Sequence, residues 1–374
     1  MSESQNLFGE FPPLTREKWE KRIQKELKGS APETLHWPLA EEIEMRPFYQ
    51  PAAESLPRPH NGQSKHNQWD IGEDFDVTAP AVTNRALLEG LLNGLEAPLF
   101  RWPASNTDFQ LPRLLAEVRA DYIQIHLRSP SRPVALLQQF AQHQAAEGLD
   151  LVELEGSING YFLRFPDLDL TLLRDLSEQL PRFRWLHLSA PRPQASPDAA
   201  VADLVELLHQ LCDNLVRART LGWEPAALAD KIVVDLHLGT SYLVELAKIR
   251  AWHLLWPLLW EGFGVSAPPP AAVHAYLAPD TQIEDQDLNM IRTTTQAMAA
   301  VIGGVRRLSL LPADAFGGDS TPFTRRMARN VQHLLRMESY LDRVVDPAAG
   351  SYYLETLTEQ LAERAWRQFQ SEHR

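Results

Sequence analysis

From about residue 70 onward the chain alternates short apolar runs of β-formers with longer amphipathic stretches, and few folds accept that pattern. The runs are APLFRW at 97–102, DYIQIHL at 121–127, LDLVELEG at 149–156, RFRWLHLS at 182–189, KIVVDLHLG at 231–239, AAVHAYL at 271–277 and RRLSLLP at 306–312. The clearest amphipathic helices lie between them, at 198–222, 241–264 and 286–304. Strand-then-helix alternation implies parallel strands with covering helices. Seven runs, with an eighth strand that the pattern does not place, favour a closed TIM-type (β/α)8 barrel over an open doubly wound sheet. No GxGxxG or Walker sequence follows any run, which weakens a nucleotide-binding reading.

The chain of 374 residues holds such a barrel plus an N-terminal extension. In that extension Thr15 is a plausible N-cap, and Trp19, Ile23 and Leu27 recur every fourth residue as one narrow apolar stripe. A stripe of this kind packs on its own domain or lies across another chain. The run RPFYQPAAESLPRPHNGQSKHN at 46–67 is proline-rich and aperiodic, hence an extended connector. The expected division is arm and connector at 1–69, then barrel at 70–374. A formal net charge of −13 opposes nucleic acid or anionic membrane as the main partner, and no stretch is apolar enough to span a bilayer. One cysteine, Cys212, and an N-terminus with no leader pattern fit a cytoplasmic protein.

The last third carries the most specific sequence. NMIRTTTQAMAAVIGG at 289–304 and FTRRMARNVQHLLRMESYLDRVVDPAAGSYYLETLTEQLAERAWRQFQ at 323–370 resemble the methylmalonyl-CoA mutase family almost throughout. Within it, Asp346, Pro347, Gly350, Ser351, Tyr352 and Tyr353 form a turn, a flexible glycine and an aromatic pair ahead of a helix. VELAKIRAWHLLW at 244–256 resembles the helix that follows the fifth strand of that family. The arm from Trp19 to Gly29 with RPFY at 46–49 resembles the N-terminus of its small subunit. The likeness is clear over 11–50 and 231–370 and present in outline over 70–230. It implies a barrel that threads an acyl-CoA along its axis beneath a separate adenosylcobalamin domain, where the cofactor supplies the radical chemistry of an isomerase of propionate metabolism.

The residues that such chemistry needs are absent where the family would carry them. The connector lacks the TPYxRG motif. The tyrosine and histidine of YHMQEAG, the latter a hydrogen-bond donor to the thioester, fall on Pro191 and Arg192, and only Gln194 keeps its identity. Between Ala271 and Asp280 there is no arginine for the substrate carboxylate, and the HTNS at the end of the seventh strand becomes Ser309, Leu310, Leu311 and Pro312. A barrel interior filled by bulky side chains, with Trp185, Leu186 and Leu188 as candidates, would explain these losses. VVDLHLG at 233–239 is one residue short of the cobalamin-ligand motif DxHxxG and sits in a barrel strand. Packing is its simpler role.

The implied protein is the non-catalytic small subunit of an adenosylcobalamin-dependent mutase heterodimer, with no cobalamin domain of its own and the large subunit as partner. No catalytic or metal-binding residue is assigned, and substrate-binding residues are unknown. The alternatives are a catalytically competent acyl-CoA mutase subunit, or a metal-dependent barrel hydrolase using His126, His187, His237, His274 and Asp235. Several of those histidines could instead face helices, since side chains alternate along a strand. His60 and His66 read as solvated polar sequence, and Trp252, Trp256 and Trp260 as a helix stripe of core or interface. Arg325, Arg326 and Arg329 could meet CoA phosphates or form a salt-bridged helix face.

Overall fold

A computed structural model of the chain describes residues 15–40, 42–49, 67–105, 108–159, 170–190, 197–318 and 320–372. Pro191, Arg192, Gln194, His60, His66 and most of the connector lie outside the described residues. The first elements are helix α1 (Arg16–Glu26), capped by Thr15, and an antiparallel hairpin of β1 (Trp37–Ala40) and β2 (Ile43–Met45). Trp19, Ile23 and Leu27 are half-buried, and Trp19 stands edge-on to Phe48 at 5.1 Å. Ile43 and Met45 enter the main core, so the hairpin ties the arm to the rest.

The barrel strands follow in order: β3 (Asp70–Asp76), β4 (Ala97–Arg101), β5 (Gln124–Arg128), β6 (Glu155–Asn159), β7 (Phe183–Arg184), β8 (Leu186–Ser189), β9 (Ile232–Leu238), β10 (Ala272–Leu277) and β11 (Arg307–Ser309). All pair in parallel, in the order β7-β6-β5-β4-β3-β11-β10-β9-β8. The segments β7 and β8 are one strand interrupted at Trp185, the first half pairing with β6 and the second with β9. The sheet thus closes as an eight-stranded α/β barrel. The outer helices include α2 (Pro80–Leu92), α3 (Leu111–Leu114), α4 (Pro133–Ala146), α5 (Leu170–Gln179), α6 (Pro197–Thr220), α7 (Tyr242–Gly262), α8 (Gln286–Gly303), α9 (Pro322–Met337) and α10 (Tyr352–Glu372). Among the described residues no helix is long and apolar enough to cross a membrane.

The strand that periodicity does not place is β3, whose sequence DIGEDFD has acidic residues and a glycine on its inward face. Every ordinal counted from the sequence therefore moves up by one: 182–189 is the fifth strand and 306–312 contains the eighth. The expected strand at 149–156 starts only at Glu155, because Leu151–Glu153 form a 3-10 turn capped by Asp150. The apolar core lies between the sheet and the helices, and Trp252, Trp256 and Trp260 are buried in it. Trp185 also belongs there. Its indole donates to Ser177 Oγ at 3.2 Å and packs on Trp223, while Leu186 and Leu188 alternate with the inward-facing His187. All three therefore face the helices, and the expectation that they fill the barrel is corrected.

Candidate functional site

Barrel enzymes work at the C-terminal ends of their strands and along the axis, so the inward side chains decide what this barrel can do. They are polar. His126 of β5 and His274 of β10 come from opposite walls, and their rings meet edge-to-face with centroids 4.9 Å apart. That contact closes the axis. His126 Nδ1 lies 2.8 Å from Ser157 Oγ, and both imidazoles are only 2% exposed. Burial, and then the positive field of neighbours including Arg307, holds both rings well below the usual histidine range.

Beside them Asp235 Oδ2 accepts from Asn159 Nδ2 at 3.1 Å and from His187 Nδ1 at 3.2 Å. Burial pushes this carboxyl up, but His187, Arg128 and His237 together outweigh it and the group stays below the usual carboxylate range. His237 stacks on Tyr276 rather than pairing with Asp235, with centroids 5.6 Å apart. All four strand histidines point into the barrel, which corrects the expectation that several would face helices. Among the described residues no three histidine, cysteine, aspartate or glutamate side chains converge as a metal site.

Arg307 also points inward and is among the largest fully buried side chains of the described residues. From β11 its side chain crosses β3. Nε donates to the Ala97 carbonyl at 3.0 Å, Nη2 donates to Asp74 Oδ1 at 3.0 Å, and the guanidinium lies 5.4 Å from the Tyr276 ring centroid. Only a glycine lets it pass: a Cβ at position 72 would stand 2.8 Å from Arg307 Cζ and 2.7 Å from the Leu308 carbonyl oxygen. Ser309 Oγ donates to the same Asp74 oxygen at 2.7 Å, and Arg101 closes the mouth by pairing with Asp74 and Asp76. Burial opposes ionisation of Asp74, yet Arg307 and Arg101 outweigh it and keep the carboxyl below its usual range.

A recess of about 500 Å³ lies at the other end, where the strands begin, lined among others by Arg184, His253, Ala272 and Arg306. The next inward residues on the strands around it, Ser157, His274 and Arg307, are buried. The interior layer thus stands between this recess and the mouth.

The residues that carry the sequence resemblance lie elsewhere, and they meet. Asp346 is held in the left-handed region (φ +46°), buried, and accepts from Arg250 Nη2 of α7 at 2.9 Å. The same nitrogen lies 3.1 Å from Glu355 Oε1, which also accepts the Gly350 N–H at 2.8 Å. Gly350 itself has φ +85°. Pro347 and Ser351 sit at the exposed rim of this turn, and Tyr352 opens α10. Tyr353 packs edge-on against Tyr49 at 5.6 Å, which joins the RPFY run to the same junction. In α8, Asn289 Nδ2 donates to the Ile283 and Ala313 carbonyls, and Gln296 Nε2 to those of Leu238 and Gly239. These are brackets for backbone, not groups aimed at a ligand.

In α9, Arg325 and Arg329 both pair with Glu73, on the outer face of β3, and Arg326 lies over Phe323. The salt-bridged face therefore describes this cluster. Sequence reasoning missed the Arg307–Asp74–Gly72 arrangement altogether. Its signal was a glycine between acidic residues in DIGEDFD together with the paired arginines of RRLSLLP.

A family model described as methylmalonyl-CoA mutase matches residues 171–373, more than half of the chain. The methylmalonyl-CoA mutase small subunit of Porphyromonas gingivalis is 30% identical, over 99% of this chain and 64% of that protein. A probable small subunit from Mycobacterium tuberculosis is 42% identical over 82% of this chain and 52% of its own length. The large subunit of the Porphyromonas gingivalis enzyme is 28% identical over 59% of this chain and 33% of that protein. The chain spans less than two thirds of the length of each of these relatives. It belongs to the methylmalonyl-CoA mutase family, and the turn at 346–353, α7 and the RPFY run that carry part of the likeness meet at one junction outside the barrel.

Proposed function

We propose that this chain is the barrel part of a non-catalytic small subunit, which supports a large subunit that isomerises methylmalonyl-CoA and succinyl-CoA. The observation that carries the reading is the contact of His126 with His274 across the axis, backed by the buried Arg307. An extended acyl-CoA chain would have to displace all three side chains. The family's substrate chemistry also needs an arginine for the free carboxylate and a donor for the thioester. Arg101 at the mouth is already engaged by two aspartates.

The same reading puts adenosylcobalamin on the partner. The residues present do not fit that cofactor: in the Asp235–Gly239 run the aspartate is bound to His187 and Asn159, and the histidine is stacked inside the barrel. The arm residues Trp19, Ile23 and Leu27 are proposed to contact the large subunit, because their stripe is only half-buried among the described residues. The domain division at residue 69 and a cytoplasmic setting belong to the same proposal.

Co-expression with a large subunit tests it. The expected result is a one-to-one complex that turns over methylmalonyl-CoA, with no turnover by this chain supplied with adenosylcobalamin alone. Turnover by the single chain would overturn the reading in favour of a competent subunit.

A further inference from the structure

The two rings that close the axis are poorly placed to accept a proton without moving. His126 and His274 press together from β5 and β10, so a charge on either ring lies against the other imidazole. The groups around them offer little relief. Arg307 of β11, His187 of β8, Arg184 of β7 and Arg306 add positive field, and Ser157 of β6 is neutral. The facing carboxylates are committed: Asp235 of β9 to His187 and Asn159, Asp74 of β3 to Arg307, Arg101 and Ser309, and Asp70 of β3 to Arg306 and Gln124. Glu155 of β6 lies 3.7 Å from Arg182. At the mouth Arg101 of β4, Arg128 of β5, and His237 and Tyr276 complete the ring of titratable neighbours.

We propose that the His126–His274 contact is a proton-sensitive lock on the barrel: neutral rings hold opposite walls together, and a proton on either ring parts them and loosens β5 and β10. The lock is a property of this chain's interior and holds whether or not the chain is catalytic. Isolated charges in such surroundings are strongly disfavoured, so relief comes from movement that admits water.

Hydrogen exchange of the full chain, read as protection factors strand by strand from about pH 7.5 to about pH 5, tests this directly. The expected result is a loss of protection of about tenfold or more in β5 and β10, with α2 and α10 changing far less. In the double variant H126F/H274F, which keeps two rings and removes both protons, that selective loss disappears. The single variant H274F serves if the double variant does not fold. An equal loss in the variant, or a loss spread evenly over strands and helices, would overturn the proposal. So would nuclear magnetic resonance titration showing either ring ionising in the ordinary histidine range with β5 and β10 unchanged.

Discussion

Gly72 and Arg307 show how one backbone position can govern an interior. The arginine crosses β3 only because residue 72 has no side chain, and part of the conflict for any Cβ would be with fixed backbone. Gly72→Ala is expected to lower stability by about 1–3 kcal/mol, the usual cost of overpacking. Urea denaturation measures it; an unchanged midpoint would mean that Arg307 has another route. A second residue-scale case is Asp346, which combines a left-handed backbone with a buried ion pair. Asparagine tolerates that conformation whereas alanine does so at a cost of roughly 1–2 kcal/mol. Asp346→Asn therefore isolates the lost charge, expected at about 2 kcal/mol because Arg250 keeps Glu355. Asp346→Ala should be worse by about 1 kcal/mol more. Equal losses in the two variants would remove the backbone from the explanation.

At the scale of elements, what the sequence made legible was whatever faces the helices. Six of the seven expected strands and three long helices stand close to their expected positions, and the seventh is displaced to Glu155–Asn159, because outward strand residues and inward helix residues are apolar and periodic. The first strand escaped because Asp70, Gly72, Asp74 and Asp76 occupy its inward positions, so it lacks the continuous apolar run expected of a buried parallel strand. The Trp185 group misled for a related reason. A break between β7 and β8 puts two successive residues on the helix side, and no pattern of apolar residues reveals a break of that kind. The departures from the family's motifs are visible in the sequence itself, whereas the polar interior was not: it was expected to be bulky and apolar, and it is built of histidine, arginine and aspartate. The element that best tests the frame is α9, through its clamp on β3. Glu73→Ala leaves the buried Arg329 without its partner and should cost about 3–5 kcal/mol, whereas Arg326→Ala on the open face should change stability by less than about 0.5 kcal/mol. Comparable effects from the two would contradict the division of that helix into an engaged and a solvated side.

For the whole molecule, the buried histidines set the response to acid. His253, beside the recess and hydrogen-bonded to the Gly304 carbonyl, is pulled down by burial to about 4 from an ordinary 6.5. His126, His274 and His237 are lowered in the same direction. Between their unfolded and folded values the unfolded chain binds more protons, so stability is greatest above pH 6.5 and falls as pH drops toward 4. Asp203 opposes this. Burial raises it to about 6 despite its pairing with Lys248, so its contribution is lost as pH rises through 6. Burial raises Asp70 in the same direction, so two carboxyls stand against several histidines among the described residues, and the net expectation is a urea midpoint that falls steadily from pH 7.5 to pH 5. A midpoint that rises over that range would show the interior to be open to water.

In the proposed reading this barrel has kept the frame of its family and closed the space in which the family's chemistry takes place. Calorimetric titration of methylmalonyl-CoA into the purified chain tests that closure. With His126, His274 and Arg307 filling the axis, no saturable binding is expected up to about 1 mM ligand. One-to-one binding with a Kd near 1 μM, about −8 kcal/mol, would contradict it.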